Sequence, residues 1–278
     1  MSASTAAWLA AAALGAYVAY GLVMIRLHPA FLYPFAADVA EIEGFARTDV
    51  PVAGADPVGV LAGGPPGGPP VLFFMGNAGA LGLFEPWLAL HADAGRRVVA
   101  MEYRGGGGLA GQPSEARLKA DALAVHDWLA GQGAPVAVHG FSLGAGLAVH
   151  VAARRPLAAA ILEAPFSSAC RIMARAALLP ACLMPVQRWD SAAEAGAVAA
   201  PVLVVHGDAD EVIPIAEGQR LARAFEVAGG DVVFEAVPAG RHGDLPTIPA
   251  YRDAVARFLA AHTPQAGAGR PGPAAQAP

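Results

Sequence analysis

The chain has 278 residues, of which 55% are hydrophobic and only 15% charged, and its net charge is −5. That length and apolar content suit one α/β domain built on a large core. The acidic balance and the lack of any basic stretch exclude a nucleic-acid partner.

The first element in chain order is 6–25, AAWLAAAALGAYVAYGLVMI, which holds no charge. Twenty helical residues span about 30 Å, the thickness of a bilayer's hydrocarbon core. A signal peptide would need a basic segment first and a shorter apolar run, and residues 1–7 contain neither Lys nor Arg. A buried N-terminal helix of a soluble domain is the other alternative. The reading adopted is a single-pass transmembrane helix, with 1–28 as a membrane anchor that contacts the bilayer through 6–25. Arg26 and Arg47 follow the segment and no cation precedes it. The positive-inside rule then favours a cytoplasmic catalytic domain.

Residues 29–262 read as one globular domain. The run GGPPGGPP at 63–70 is a loop, because its glycines and prolines fit neither a helix nor a central strand. Its flanks, 58–62 and 71–75, read as strands, so the loop is expected to join a hairpin. Further strands are expected at 98–103, 136–139, 158–163, 202–206 and 232–237, with helices at 81–94, 114–131, 143–154, 214–228 and 249–261. Most of the strands are unbroken apolar runs, as strands covered on both faces are. The alternation predicts an α/β fold with a mostly parallel central sheet and helices on both faces.

Between about 167 and 200 an insert reads as a short helical cap, apolar over 170–186. Ile172, Ala176 and Leu179 recur in it at near-helical spacing, with Met173 and Met184 as adaptable apolar contacts. Such a stripe packs the cap onto the domain, or in part lines an acyl pocket. The two cysteines, Cys170 and Cys182, fit neither a zinc spacing nor a disulfide framework and are expected as small apolar fillers, with pairing in an oxidising compartment as the alternative. The tail 263–278, TPQAGAGRPGPAAQAP, has no apolar period and reads as disordered.

In a parallel sheet, ligands bind at the carboxyl ends of the strands. One such end reads VHGFSLGAG at 138–146. Ser142 lies there between Gly140 and Gly144, at a strand-to-helix turn. A hydroxyl nucleophile held on so sharp a turn needs small residues two positions to either side, and the following helix offers its N–H groups to developing negative charge. A serine nucleophile needs a base, and the base needs an orienting acid. Of the histidines after Ser142, His150 points away on the same helix, His206 lies within a strand and His262 leads into the tail. His242 sits in a loop after the last strand and is the expected base. In HGDADEVIP at 206–214, Asp210 is the expected acid, with Asp208 in reserve and better suited to bracing its turn. The expected oxyanion donors are the N–H of Leu143 and a group of Asn77 in the loop Met75-Gly76-Asn77-Ala78-Gly79, with Ala78 in reserve.

These residues resemble the α/β-hydrolase superfamily, in particular its branch of membrane-anchored serine hydrolases related to depalmitoylating thioesterases and prolyl-peptidase-like hydrolases. FLYPF at 31–35, EYRGGGG and GQPSE within 102–115, DALAVHDWL at 121–129 and EAPFSS at 163–168 carry the resemblance as well. It covers 30–262 and implies the α/β-hydrolase fold, with Ser142 as nucleophile, Asp210 as acid and His242 as base. The chain departs from many relatives in having Met75 where they have His, four glycines at 105–108, and Gly243 where they often have Asn.

The expected function is a serine hydrolase that cleaves an ester, thioester or related acyl bond of a hydrophobic, lipid-like or small-molecule substrate through an acyl-enzyme. No metal and no organic cofactor is expected. The alternatives are a prolyl-oligopeptidase-like peptidase and a non-catalytic binding module of the same fold. Oligomeric state is left open.

Overall fold

The computed structural model describes residues 2–263; the expected disordered tail lies almost wholly outside them. An N-terminal helix α1 (Ala3–Leu32) leads into a mixed α/β domain. Its strands are β1 (Phe45–Val52), β2 (Ala55–Gly63), β3 (Pro70–Phe74), β4 (Arg97–Met101), β5 (Ala137–Phe141), β6 (Ala159–Glu163), β7 (Val202–Gly207) and β8 (Val232–Val237). The remaining helices are α2 (Glu85–Asp93), α3 (Glu115–Ala130), α4 (Leu143–Ala152), α5 (Ala169–Ala177), α6 (Ser191–Glu194), α7 (Ile215–Val227) and α8 (Pro249–His262). The strands form one sheet in the order β1-β2-β4-β3-β5-β6-β7-β8. β1–β2 and β2–β4 are antiparallel and every other pair is parallel.

β3, β5, β6 and β7 are buried along their whole length, which is why they read as unbroken apolar runs. Val71, Ala137, Ile161 and Leu203 face Tyr251, Val255 and Leu259 of α8. Leu72, Val138, Leu162 and Val204 face the other side, in one cluster with Leu118 of α3, Leu147 of α4 and Leu221 of α7. Successive side chains of a strand point to opposite faces, so both faces of the sheet are sealed.

Two expectations about strands are corrected. The Gly/Pro loop does not join a hairpin: β2 and β3 lie on either side of β4. The loop instead passes over the start of β4, where a Cβ at Gly64 or Gly68 would run into the backbone around Arg96. Its glycines permit that close crossing. The actual hairpin is β1–β2, turning at Gly54 (φ +71°). β1 escapes a sequence reading because it is a largely exposed edge strand that tolerates Pro51.

The cysteines are also corrected: Cys170 and Cys182 form a disulfide. α5 ends at Leu178 in the left-handed conformation (φ 53°), and the chain doubles back through Pro180 to bring Cys182 beside the start of α5. Spacing alone does not reveal that reversal.

α1 is long and apolar enough to cross a membrane, with mean hydropathy 1.8 in its most apolar window. It runs beyond the expected 6–25 to Leu32, through Pro29. Proline has no N–H to give the carbonyl four residues back. That carbonyl, of Ile25, accepts instead from His28 Nδ1 at 2.6 Å.

Candidate active site

The loops at the carboxyl ends of β3, β5, β7 and β8 converge. Ser142 follows β5 directly and has φ 53° and ψ −114°, a left-handed conformation costly for a residue with a Cβ. The turn is held by Ser142 N–H donating to the Glu163 carbonyl at 2.9 Å. A Cβ at Gly140 would strike the Gly144 carbonyl, and one at Gly144 would strike the carbonyls of Phe74 and Met75. Glycine at both positions lets α4 begin flush against the end of β3.

Ser142 Oγ lies 3.1 Å from His242 Nε2, and His242 Nδ1 lies 2.8 Å from Asp210 Oδ2. The Phe141 ring packs against the imidazole, with centroids 4.9 Å apart. The buried Asp210 carboxylate accepts from the N–H groups of Val212 and Ile213, both at 2.8 Å, through its other oxygen. Burial alone would raise its pKa, but hydrogen bonds from His206 and His242 and from the Ile213 backbone hold it well below the usual carboxylate range. Asp210 is thus an anion built to accept from imidazole Nδ1–H. Asp208 accepts instead from Ala239 N–H at 2.7 Å and ties the β7 loop to the loop carrying His242. His150 is held by Glu194, away from Ser142.

Leu143 is the first residue of α4, so its N–H has no acceptor within the helix. Asn77, Ser142 and Leu143 line the same cavity. The loop carrying Asn77 is braced by the Tyr103 hydroxyl, which donates to the Met75 carbonyl at 2.6 Å. The Gly105–Gly108 stretch packs beneath it, and a Cβ at Gly106 would lie 2.7 Å from the Gly79 carbonyl. Arg104, paired with Asp121 at 2.7 and 3.0 Å and donating to the Asp56 carbonyl, fixes the start of that stretch.

Sequence reasoning missed two features of this region. His206 Nε2 donates to the Ile213 carbonyl at 2.9 Å and lies 3.3 Å from Asp210 Oδ2, so the carboxylate has a histidine on each side. Beneath the Ser142 turn, Glu163 Oε2 accepts from Tyr251 Oη at 2.6 Å, Trp87 Nε1 at 2.8 Å and His139 Nε2 at 3.0 Å. His139 Nδ1 in turn accepts from His91 Nε2 at 2.8 Å. Burial pushes the Glu163 carboxyl up to about 7, and the donors from Tyr251 and Trp87 only partly offset it. Burial pushes His139 down to about 3, so it is a neutral donor here. A strand-end acid in EAPFSS was the available signal.

A cavity of about 400 Å³ opens from Ser142. Ile172, Met173, Ala176, Leu179 and Met184 of the cap line it, and so do residues of α1.

Known proteins resemble this chain in sequence and in fold. The family model described as "Serine hydrolase (FSH1)" matches residues 105–239. Among solved structures, the esterase Pf2001 of Pyrococcus furiosus superposes with a TM-score of 0.69, covering 81% of this chain and 98% of that one at 15% identity, which shows the shared fold. The uncharacterized protein Rv2307c of Mycobacterium tuberculosis is 38% identical over 200 residues, covering 69% of this chain and 70% of its own. The chain belongs to the α/β-hydrolase superfamily. This α/β hydrolase is an enzyme of the serine hydrolase type. It is also 32% identical over 208 residues to the lysophosphatidylserine lipase ABHD12 of Macaca fascicularis, but spans only half the length of that relative.

Proposed function

We propose that this hydrolase cleaves an ester, thioester or related acyl bond on a hydrophobic acyl substrate, through a Ser142–His242–Asp210 triad and an acyl-enzyme. One observation carries the reading: a hydroxyl on a strained strand-end turn, in line with an imidazole and a buried carboxylate, opens into an apolar cavity. His242 takes the Ser142 proton as Oγ attacks the acyl carbonyl. The oxyanion forms against N–H groups at Leu143 and the Asn77 loop. His242 then delivers the proton to the leaving group as the acyl–oxygen or acyl–sulfur bond breaks. Water, deprotonated by the same imidazole, releases the acid. Asp210 holds the imidazole in the correct tautomer and stabilises its cation. A lipid substrate agrees with the ABHD12 relative being a lysophosphatidylserine lipase. Among the described residues, the cavity lining contains no Asp, Glu, Lys or Arg to receive a peptide terminus, which disfavours the peptidase alternative.

The same reading takes α1 as a membrane anchor, with residues 29–262 as the catalytic domain and about 167–200 as its cap. The disulfide bears on which side of the membrane the domain occupies. Such bonds persist in oxidising compartments, so Cys170–Cys182 favours an extracytoplasmic domain over the cytoplasmic one that Arg26 and Arg47 favour.

The test is fluorophosphonate labelling followed by a panel of acyl esters and thioesters. Labelling that depends on Ser142, with kcat/KM higher for octanoyl than for acetyl, is the expected result. Rates that fall steadily from acetyl to octanoyl refute the acyl-pocket reading.

A further inference from the structure

α1 divides into two unlike halves. Residues 2–20 are all exposed and almost wholly apolar, and the first buried residue of the helix is Gly21. From Ala3 to Tyr20 the helix rises about 27 Å, close to the roughly 30 Å of a bilayer core. From Tyr17 onward the helix is also docked on the cap, so the two parts overlap by one turn. Tyr17 and Tyr20 donate to the carbonyls of Leu178 and Ala177 at 3.0 and 3.1 Å. These lie at the end of α5, where carbonyls lack partners within the helix. A Cβ at Gly21 would lie 3.3 Å from the Met184 methyl, so the helix passes the cap at close quarters. His28 Nε2 accepts from Gln187 N–H at 3.1 Å.

The docked half presents Tyr20, Met24, His28 and Phe31 at spacings of four, four and three, one stripe of a helix. That stripe, with Ile25 and Leu32, lines the cavity that begins at Ser142. Leu178 and Leu183 on the cap are 81% and 88% exposed. The Leu178 carbonyl accepts from Tyr17, in the last turn of the exposed apolar segment. Tyrosines gather at that level of a membrane.

Building on the acyl-hydrolase reading, we propose that α1 is part of the substrate site: the acyl chain lies between the Tyr20–Met24–His28–Phe31 stripe and the cap, and enters along the helix from the bilayer. The anchor then sets chain-length preference, and Leu178 and Leu183 rest the cap's rim in the membrane surface.

The test uses the full-length protein in vesicles or mixed micelles, with p-nitrophenyl butanoate and dodecanoate as probes. Met24→Trp fills the cavity from the anchor side. It is expected to lower the dodecanoate-to-butanoate ratio of kcat/KM at least ten-fold. Val23→Trp, an equal change on the exposed face of the same turn, is expected to leave the ratio within two-fold. Met24→Ala, which is safer for folding, is expected to move the optimum towards longer chains. Ratios unmoved by both Met24 variants, or moved as far by Val23→Trp, overturn the proposal. Fluorophosphonate labelling separates the two readings. If labelling stays Ser142-dependent while the ratio fails to move, only the wall assignment falls; if Ser142→Ala still labels, the acyl-hydrolase reading falls first.

Discussion

At the scale of residues, the proposed triad makes a sharp prediction. Ser142→Ala is expected to abolish turnover and labelling in a folded protein, and His242→Ala and Asp210→Asn are expected to lower kcat by about 10⁴ each. Asp208→Asn is expected to do far less, because Asp208 holds Ala239 N–H rather than the imidazole. A larger loss at Asp208 than at Asp210 would reverse their roles. Glu163 gives a second, pH-dependent prediction. Its carboxyl is raised to about 7 from an ordinary value near 4.5, so between those values the folded chain binds more protons than the unfolded one. Stability from this group is therefore complete at low pH and declines as pH rises towards 7. His91 and His139, both lowered by burial, act in the opposite sense around pH 6.5. The informative measure is thus a difference: the Tm of Glu163→Gln minus that of the wild type is expected to grow from pH 5 to pH 8. A constant difference would remove Glu163 from the account. Ser142, Asp210 and His242 stand out in the sequence because each follows a recognisable strand. Glu163, His139 and His206 do not, because their roles depend on partners from several separate elements.

At the scale of elements, the fully buried parallel strands are plain in the sequence as apolar runs, and the helices between them follow. The edge is not. β1 carries a run of exposed residues, Ala46 to Asp49, and a proline, and its partner β2 pairs next with β4, a strand that comes later in the chain. No local pattern encodes such non-local order. The glycines around Ser142 gain meaning only from their neighbours: Gly144→Ala is expected to destabilise the fold or displace the turn, because its methyl has only the β3 carbonyls to enter. Activity and a Tm within 2 °C of wild type would contradict the close approach. The cap depends on a different constraint. Closing the 12-residue separation between Cys170 and Cys182 is worth about 3 kcal/mol in the chain-entropy account. The Cys170→Ser/Cys182→Ser double variant is expected to lose a comparable amount in denaturant unfolding. If the cap positions the cavity wall, long-chain turnover should fall more than short-chain turnover.

At the scale of the whole molecule, the proposed anchor and the disulfide lead to two further measurements. Full-length protein is expected to stay with membranes under carbonate extraction, and release to the supernatant would refute an anchored α1. In intact cells, Cys170 and Cys182 are expected to resist alkylation until reduced; free thiols at both positions would return the catalytic domain to the cytoplasm. The apolar 6–25 segment is legible in the sequence as an element, but its continuation to Leu32 and its packing on the cap are not, since the uncharged run ends at Arg26. The tyrosine bonds to Ala177 and Leu178 have a mechanical consequence. A spanning helix meets a mismatch between its apolar length and the local bilayer thickness by tilting. A freely hinged anchor would absorb that tilt in its linker. Here the helix is pinned to the cap at Tyr17, Tyr20 and His28, so under the proposed anchoring a thicker or thinner lipid leaflet would lean directly on one side of the cavity. On the proposed anchoring, the lipid around the enzyme becomes a determinant of which acyl substrate it selects.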